Sequence, residues 1–507
     1  MTSPTFLDSI AQLLIDENAQ SLSETTVILP NKRAKIFLIQ AIKNKLSQTV
    51  MAPKIVSIED FIQEISGFRT IDPIELLFEF YQVYLSVTPQ EPQTFEVYSN
   101  WAKTLLQDFN EIDRYLLEPD KILRYLDEIK TLEHWSVSLE DRTELIDKYL
   151  QFWKQLPIYY HALQKHLKSK GIGYQGLIYR QAVDRMKSHF SNRNQKFLFA
   201  GFNALNQAEE KIVQHLLAED LASIYWDIDA VFLNDPTHET GLFVRKFKKK
   251  WSYYNSHSFD WVSNEYQKTK NIQIIGTAKT VGQARIVGQI IEKLQAENPA
   301  FNLNKTAIVL GDETLLMPLL HALPETVDKL NITMGYSALN NPVQILISKW
   351  FKMQLNALNR SESSRVFYYK DLLDVLTHPL VEPHAEAHQL IQKINKLNYT
   401  FISHSKLMDL QGISNAFFKL IFDPWPQNPI LVLQRISEVL QWLRNQLTDD
   451  PQENITRAFL YAIHTTINKL NNYIEVYGQI QTIDSLFAMY KQIIDLAEVS
   501  FEGEPLT

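Results

Sequence analysis

The sequence predicts an α/β protein whose parallel sheet is interrupted by long helical insertions. Three observations carry this reading. Short apolar runs bounded by turns alternate with helix-period segments over residues 25–62. The same alternation returns over residues 196–226. Between them, from about Pro73 to Lys170, the pattern is almost purely helical. Apolar runs of this kind suit strands covered on both faces, and strand–helix–strand order suits parallel pairing.

Thr25–Leu29 reads as the first strand and stops at Pro30. Asn31-Lys32-Arg33-Ala34 opens a helix to about Leu46, with Ile36, Ile39 and Ile42 on its apolar period. Lys54–Ser57 is a second strand. Ser57 is placed to cap the next helix, with Asp60 three residues on. In the helical stretch, Trp101, Leu105, Phe109, Ile112 and Leu116 recur at the spacing of one apolar helix face. Pro30, Pro73, Pro119 and Pro157 fall at edges of periodic runs. A strand at Phe197–Ala200, a helix at Gln207–Leu217 and a strand at Ser223–Trp226 follow. Asn234–Lys270 reads as loop-rich. A second α/β unit is expected to start with a strand at Asn271–Gly276, a helix at Val281–Leu294 and a strand at Thr306–Leu310, with Gly311-Asp312-Glu313 opening another helix. From about Pro342 the pattern is helical again. The second unit has too few strands to close a sheet, so further chain is expected after Thr507.

With 507 residues, three or four structural units are expected. Apolar content of 45% and charged content of 21% describe an ordinary globular protein. The absence of Cys removes disulfides, thiolate metal sites and iron–sulfur ligation, and fits a reducing cytoplasm. Neither a signal peptide at the start nor an apolar run long enough to span a bilayer is visible. A net charge of -8 is unsuited to general polyanion binding, so nucleic-acid contact has to come from local basic patches.

An ATP-binding P-loop needs a Gly-rich turn and a Gly-Lys-Ser or Gly-Lys-Thr, and neither tripeptide occurs. The first strand–helix turn is Leu29-Pro30-Asn31-Lys32, where Pro30 removes an amide donor. Gly171–Gly176 matches G-x-G-x-x-G but follows a basic helical run and not a strand, so it reads as a helix end and turn. Asp108, Glu111 and Asp113 read as a solvated helix face, with Asp113 turned from the other two. His161 and His166 are five apart, which does not align them as a zinc pair. No catalytic residue, metal site or cofactor is expected. Arg245, Lys246, Lys248, Lys249 and Lys250 are interleaved with Phe243, Phe247 and Trp251. That mixture offers charge for a single-strand backbone and ring faces for bases. It equally describes a solvated segment anchored by its aromatics.

Lys196–Gln207 resembles the Walker B segment of UvrD-type helicases, with Ala200 and Gly201 where two acids would stand. Magnesium needs hard oxygen ligands, which neither residue supplies. Val27–Ala34 resembles motif Ia, Trp101–Leu117 an inserted helical subdomain, and Gly173–Arg180 the helix before Walker B. Trp226–Asp229 falls where motif III would stand, and Ala307–Leu323 with Asn331–Pro342 resembles the start of a second RecA-like domain.

In this order the segments resemble the AddB-type, RecB-like family of helicase–nuclease subunits. The resemblance implies a UvrD-like superfamily-1 helicase fold with RecA-like parallel-sheet domains and large helical insertions. Residues 1–70 and 171–268 would form the first RecA-like domain and 71–170 its insertion. Residues 269–345 would start the second and 346–507 form its insertion. The resemblance also implies an inactive ATPase in DNA repair and recombination. Asn31, Lys32 and Arg33 would contact phosphates. The basic run through Trp251 would contribute to gripping single-stranded or duplex-end DNA. The motor would be a UvrD-type partner subunit, and a PD-(D/E)XK exonuclease domain would lie downstream of Thr507. The alternative is a scaffold that binds the partner helicase and touches DNA little.

Overall fold

Four parallel strands organise the first half of the protein. The computed structural model describes residues 4–18, 22–46, 49–88, 92–133, 144–191, 195–298, 301–327, 330–333, 336–337, 339, 341–360, 365–411, 416–448, 453–496 and 498–499. They fall into two units, one formed essentially by Met1–Gln93 with Val97–Ile272 and the other by Gln273–Pro505. Among the described residues no helix is long and apolar enough to cross a membrane.

The first unit begins with α1 (Phe6–Asn18), β1 (Thr25–Leu29), α2 (Ala34–Lys45), β2 (Lys54–Ser57) and α3 (Ile58–Ser66). β-branched residues make up β1 as far as Ile28, and Ser57 caps α3 by accepting from the Asp60 amide, as its spacing predicts. The short β3 (Arg69–Thr70) then leads into the helices α4 (Pro73–Val87), α5 (Phe95–Arg114), α6 (Pro119–Glu133) and α7 (Glu144–Lys170). The chain returns through β4 (Ile172–Gly173), which pairs in parallel with β3, so the helical insertion leaves and re-enters at one place. Next come α8 (Gln175–Phe190), β5 (Lys196–Phe202), α9 (Gln207–Ala218), β6 (Ala222–Trp226), β7 (Ile228–Asp229), α10 (Ala230–Asn234), α11 (Leu242–Lys250) and β8 (Val262–Ser263).

The main sheet has the order β2-β1-β5-β6. β1 and β5 pair in parallel with Val27 opposite Leu198, and both apolar runs are covered on the two faces as expected. Val27, Leu29, Leu198 and Ala200 pack on one face with Ile10 and Leu14 of α1 and with Leu38, Ala41 and Ile42 of α2. Ile28, Phe197 and Phe199 pack on the other with residues of α3, α8, α9 and α11. The apolar face of α2 is thus shifted from the predicted one: Ile39 is exposed, because the helix turns Leu38 and Ala41 to the sheet.

In the insertion, Leu105, Phe109 and Ile112 of α5 are buried as their period predicts, each contributing about 1.5–3 kcal/mol relative to exposure. Two expectations are corrected there. Pro157 lies inside α7 and not at its edge. Asp113 is no part of a solvated face. It is fully buried, accepting from Arg180 Nε, Tyr160 and Tyr174 hydroxyls, and Gln164 Nε2 at 3.0 Å. Arg180 also donates to the carbonyls of Ile112 (3.0 Å) and Leu117 (2.7 Å). This one carboxylate therefore ties α5 to α7 and α8. Glu79 of α4, also buried, is held by Lys170 at 2.7 Å and by His166.

In the second unit, α12 (Thr280–Glu297) and α13 (Leu316–Leu320) precede a helical body. That body contains the short β9 (Tyr336–Ser337), α14 (Pro342–Arg360), β10 (Val366–Tyr368), α15 (Tyr369–Leu376), α16 (Ala385–Leu397), β11 (Phe401–Ser403) and α17 (His404–Gln411). It continues with α18 (Ala416–Phe422), α19 (Pro429–Gln446), α20 (Asn454–Tyr477), α21 (Ile483–Leu496) and β12 (Glu498–Val499). α14 is its centre, with Trp350, Phe351 and Met353 buried and the Trp350 indole donating to the Ile421 carbonyl at 2.7 Å. The strands expected at Asn271–Gly276 and Thr306–Leu310 do not form: both segments lack strand pairing. The second unit has antiparallel pairs, β10 with β11 and β9 with β12, and no parallel sheet among its described residues. Met334, Gly335, Ala338 and Asn340 of the expected Asn331–Pro342 motif lie outside the described residues.

Candidate nucleic-acid interface

The strand order places a topological switch point between β1 and β5, since the chain leaves β1 toward β2 on one side and returns as β5 on the other. Open α/β sheets bind ligands in the crevice outside the carboxyl ends of strands at such a point. The residues there are Pro30–Arg33 after β1, Ser57 at the end of β2 with Ile58–Asp60 after it, and Gly201–Phe202 at the end of β5 with Asn203–Asn206 after it.

Ala200 and Gly201, which stand where the resemblance would put two acids, offer no side-chain oxygen. Ala200 is fully buried in the apolar cluster beside α1 and α2, where a carboxylate would be desolvated without a partner. Gly201 sits at a bulge in the pairing with β6 and has φ +78, a conformation that favours glycine. A Cβ there would lie 3.4 Å from the Phe6 ring, which in turn packs edge-on against Trp261. Aromatic rings thus crowd the end of the strand. Among the described residues no group of three or more His, Asp or Glu side chains is arranged to hold a metal ion.

The Asn31–Arg33 turn is exposed, but its side chains are engaged within the fold. Asn31 Oδ1 accepts from the Ala34 amide at 3.0 Å and so starts α2. Lys32 Nζ pairs with Asp60 at 2.9 Å. Burial opposes ionisation of Asp60, yet Lys32, the Ser57 hydroxyl and Lys35 together hold its carboxyl below the usual carboxylate range. Asn206 caps α9, its Oδ1 accepting from the Glu209 amide at 2.9 Å while Glu209 accepts from the Asn206 amide at 2.9 Å. Desolvation pushes Glu209 up, against the pull of the Asn206 amide, Arg114 and Tyr179. The Asn206-x-x-Glu209 spacing is a capping-box signal that sequence reading passed over.

The basic run is a helix and not part of a loop. α11 is amphipathic: Val244 and Phe247 are buried, while Lys246, Lys248, Lys249 and Lys250 face solvent. Two residues expected to touch DNA are turned inward. Arg245 donates to the carbonyls of Phe232, Pro236 (3.4 Å) and His238 (2.6 Å), so it anchors the turn before α11. Trp251 is 2% exposed, packs against Trp226 and Phe247, and donates to Glu210 at 2.9 Å. Neither offers a phosphate contact or a ring face in this arrangement. Asp229, in the segment that resembles motif III by its place in the order, is likewise structural. Amides of Tyr266, Val231 and Glu265 and the Ser263 hydroxyl hold it below the usual carboxylate range.

The two basic groups belong to different clusters. α2 packs on the α1 face of the sheet and α11 on the opposite face. Of the three rings interleaved with the basic run, Phe243 alone reaches solvent, and it is joined near α11 by rings not singled out in the sequence: Tyr253, His257 and Phe259, with Lys248 Nζ 5.0 Å from the Phe259 centroid. No protein-family model and no curated protein matches this chain.

Proposed function

We propose that this chain is the helicase-like, non-hydrolysing part of a DNA-processing subunit of the AddB type, which grips single-stranded DNA and guides it. The observation that carries this is the carboxyl end of β5, where a buried Ala200 and a left-handed Gly201 occupy the acid positions of a parallel sheet with a switch point. A sheet of this order without a Gly-Lys-Ser or Gly-Lys-Thr turn and without acids at Ala200 and Gly201 suits passive binding and not nucleotide hydrolysis. The exposed lysines of α11 supply a sequence-independent electrostatic term. The finer assignment, a superfamily-1 helicase fold acting beside a UvrD-type motor with a PD-(D/E)XK nuclease domain after Thr507, rests on the order of the motif-like segments.

The test is oligonucleotide binding followed by fluorescence anisotropy across a salt series. Single strands should bind with steep salt dependence. Lys248→Glu with Lys249→Glu and Lys250→Glu should weaken binding and flatten the log–log slope by about 0.7 for each phosphate that is no longer neutralised. An unchanged slope would show that these lysines are solvated surface. A scaffold for a partner helicase is the second reading, favoured by one observation: Arg245 and Trp251 serve the fold internally. Co-purification with a UvrD-type helicase and no strand binding would select it.

A further inference from the structure

We propose that the cavity at the outer edge of β6 is a nucleobase pocket, in which one unstacked base of single-stranded DNA enters between rings while its backbone stays at the rim beside Lys248. This rests on the single-strand-binding reading above and names the part of the surface that reads the base.

β6 is an edge strand, paired with β5 on one side only among the described residues. On its open side lies a cavity of about 240 Å³, walled by Ser223–Trp226, by Tyr253 and Tyr254, and by His257–Trp261. One wall is fixed: the Trp226 indole donates to the Tyr254 hydroxyl at 2.6 Å, and both rings belong to the core packing around α11. The mouth is different. His257, Ser258 and Asp260 are exposed, and Tyr253, Phe259 and Trp261 are half-buried. His257 lies flat on Tyr253, with centroids 4.0 Å apart and planes 8° from parallel, and Trp261 meets Tyr225 at 4.7 Å. Half-exposed rings around an open cavity are a stacking platform for a planar ligand.

Two charges fix the ligand's orientation. Lys248 is exposed and stands over the Phe259 ring at 5.0 Å. It places positive charge at the rim, where a phosphodiester backbone would pass. Asp260, which accepts from the Ser258 hydroxyl, is the anion on the pocket wall. It repels phosphate from the interior and accepts from an exocyclic amino group, as a carboxylate does with cytosine N4. Thymine has no such donor. The pocket therefore favours cytosine over thymine.

The experiment compares oligodeoxycytidylate, oligothymidylate and an abasic strand of equal length by fluorescence anisotropy with the full chain. Cytidylate should bind tightest and the abasic strand weakest, since loss of a stacked base costs about tenfold in affinity. His257→Ala and Phe259→Leu should bring cytidylate toward the abasic affinity while leaving the salt slope unchanged, because no phosphate-binding cation is removed. Asp260→Asn should erase the preference for cytosine over thymine. Because His257 is exposed, its variant decides the matter if Phe259→Leu fails to fold. Equal binding of all three strands by the wild-type chain and its variants overturns the pocket and leaves the DNA-binding reading standing. No binding of any strand overturns both.

Discussion

Thr25–Leu29 with Lys196–Phe202 in the first unit, and Asn271–Gly276 at the start of the second with Thr306–Leu310 inside it, carry the same apolar pattern and end in opposite states; the boundary between the units falls after Ile272. The first pair forms the centre of a parallel sheet, with both faces covered by helices. The second pair stands unladdered, with Ile274 96% and Val309 90% exposed. The difference is in the neighbours. A strand at the centre of a parallel sheet needs partners on both sides for its backbone groups and helices on both faces for its side chains. In the first unit the β3–β4 pairing brings the chain back after the insertion, so β5 arrives beside β1. In the second, α12 buries little more than Ala284, Gly288 and Ile291, and no strand arrives among the described residues.

The largest way to break the comparison is at the insertion that the first unit has to hold in place. Asp113→Ala leaves Arg180 and the hydroxyls of Tyr160 and Tyr174 without their shared acceptor. Removing one partner of a buried ion pair costs about 3–5 kcal/mol. In denaturant unfolding followed by hydrogen exchange, the first unit should lose that much and the α14-centred body of the second should not move. Equal loss in both units would mean that they unfold together and the contrast is false.

Sequence reading recovered what depends on local pattern. The parallel pairing of β1 with β5, the Ser57 cap and the buried face of α5 follow from apolar spacing and cap chemistry. What failed depends on partners remote in sequence. Asp113 looked like one more acid on a polar face, since Tyr160, Gln164, Tyr174 and Arg180 come from later helices. Trp251 and Arg245 looked available because their acceptors, Glu210 and the carbonyls of Phe232 and His238, come together only in the fold. The exposed ring cluster of Tyr253, His257 and Phe259 had no motif to announce it. The unformed strands at Asn271–Gly276 and Thr306–Leu310 are the reverse case: the pattern was read and the partners were not there.

A middle-sized effect sharpens the comparison by giving the second unit a signal of its own. His378 is buried, and that burial, with Lys349 nearby, pushes its imidazole down to about 4 against a bond to the Pro342 carbonyl. The unfolded chain titrates near 6.5, so it takes up a proton before the folded one does. Stability from the neutral ring is present above pH ~6.5 and falls as pH drops toward about 4, at up to about 1.4 kcal/mol per pH unit. Unfolding midpoints of the second unit measured across that window should fall with pH, and His378→Gln should remove this part of the slope. The same slope in the variant would assign the effect to carboxylates instead.

The smallest expected effect bears most directly on the contrast. Leu198→Ala removes a buried side chain from β5, and such truncations cost about 2–5 kcal/mol. Ile274→Ser and Val309→Ser remove apolar side chains of similar size from segments that look alike in sequence. Both positions are nearly fully exposed, and surface substitutions stay within about 0.5 kcal/mol. Their combined variant should therefore unfold at the same denaturant concentration as the wild type, and its amides over residues 271–276 and 306–310 should exchange as quickly as before. A loss of about 2 kcal/mol or more, on the order of a core truncation, would mean that the two segments are paired in solution. The second unit would then contain a sheet like the first, and the difference between them would lie in what covers it.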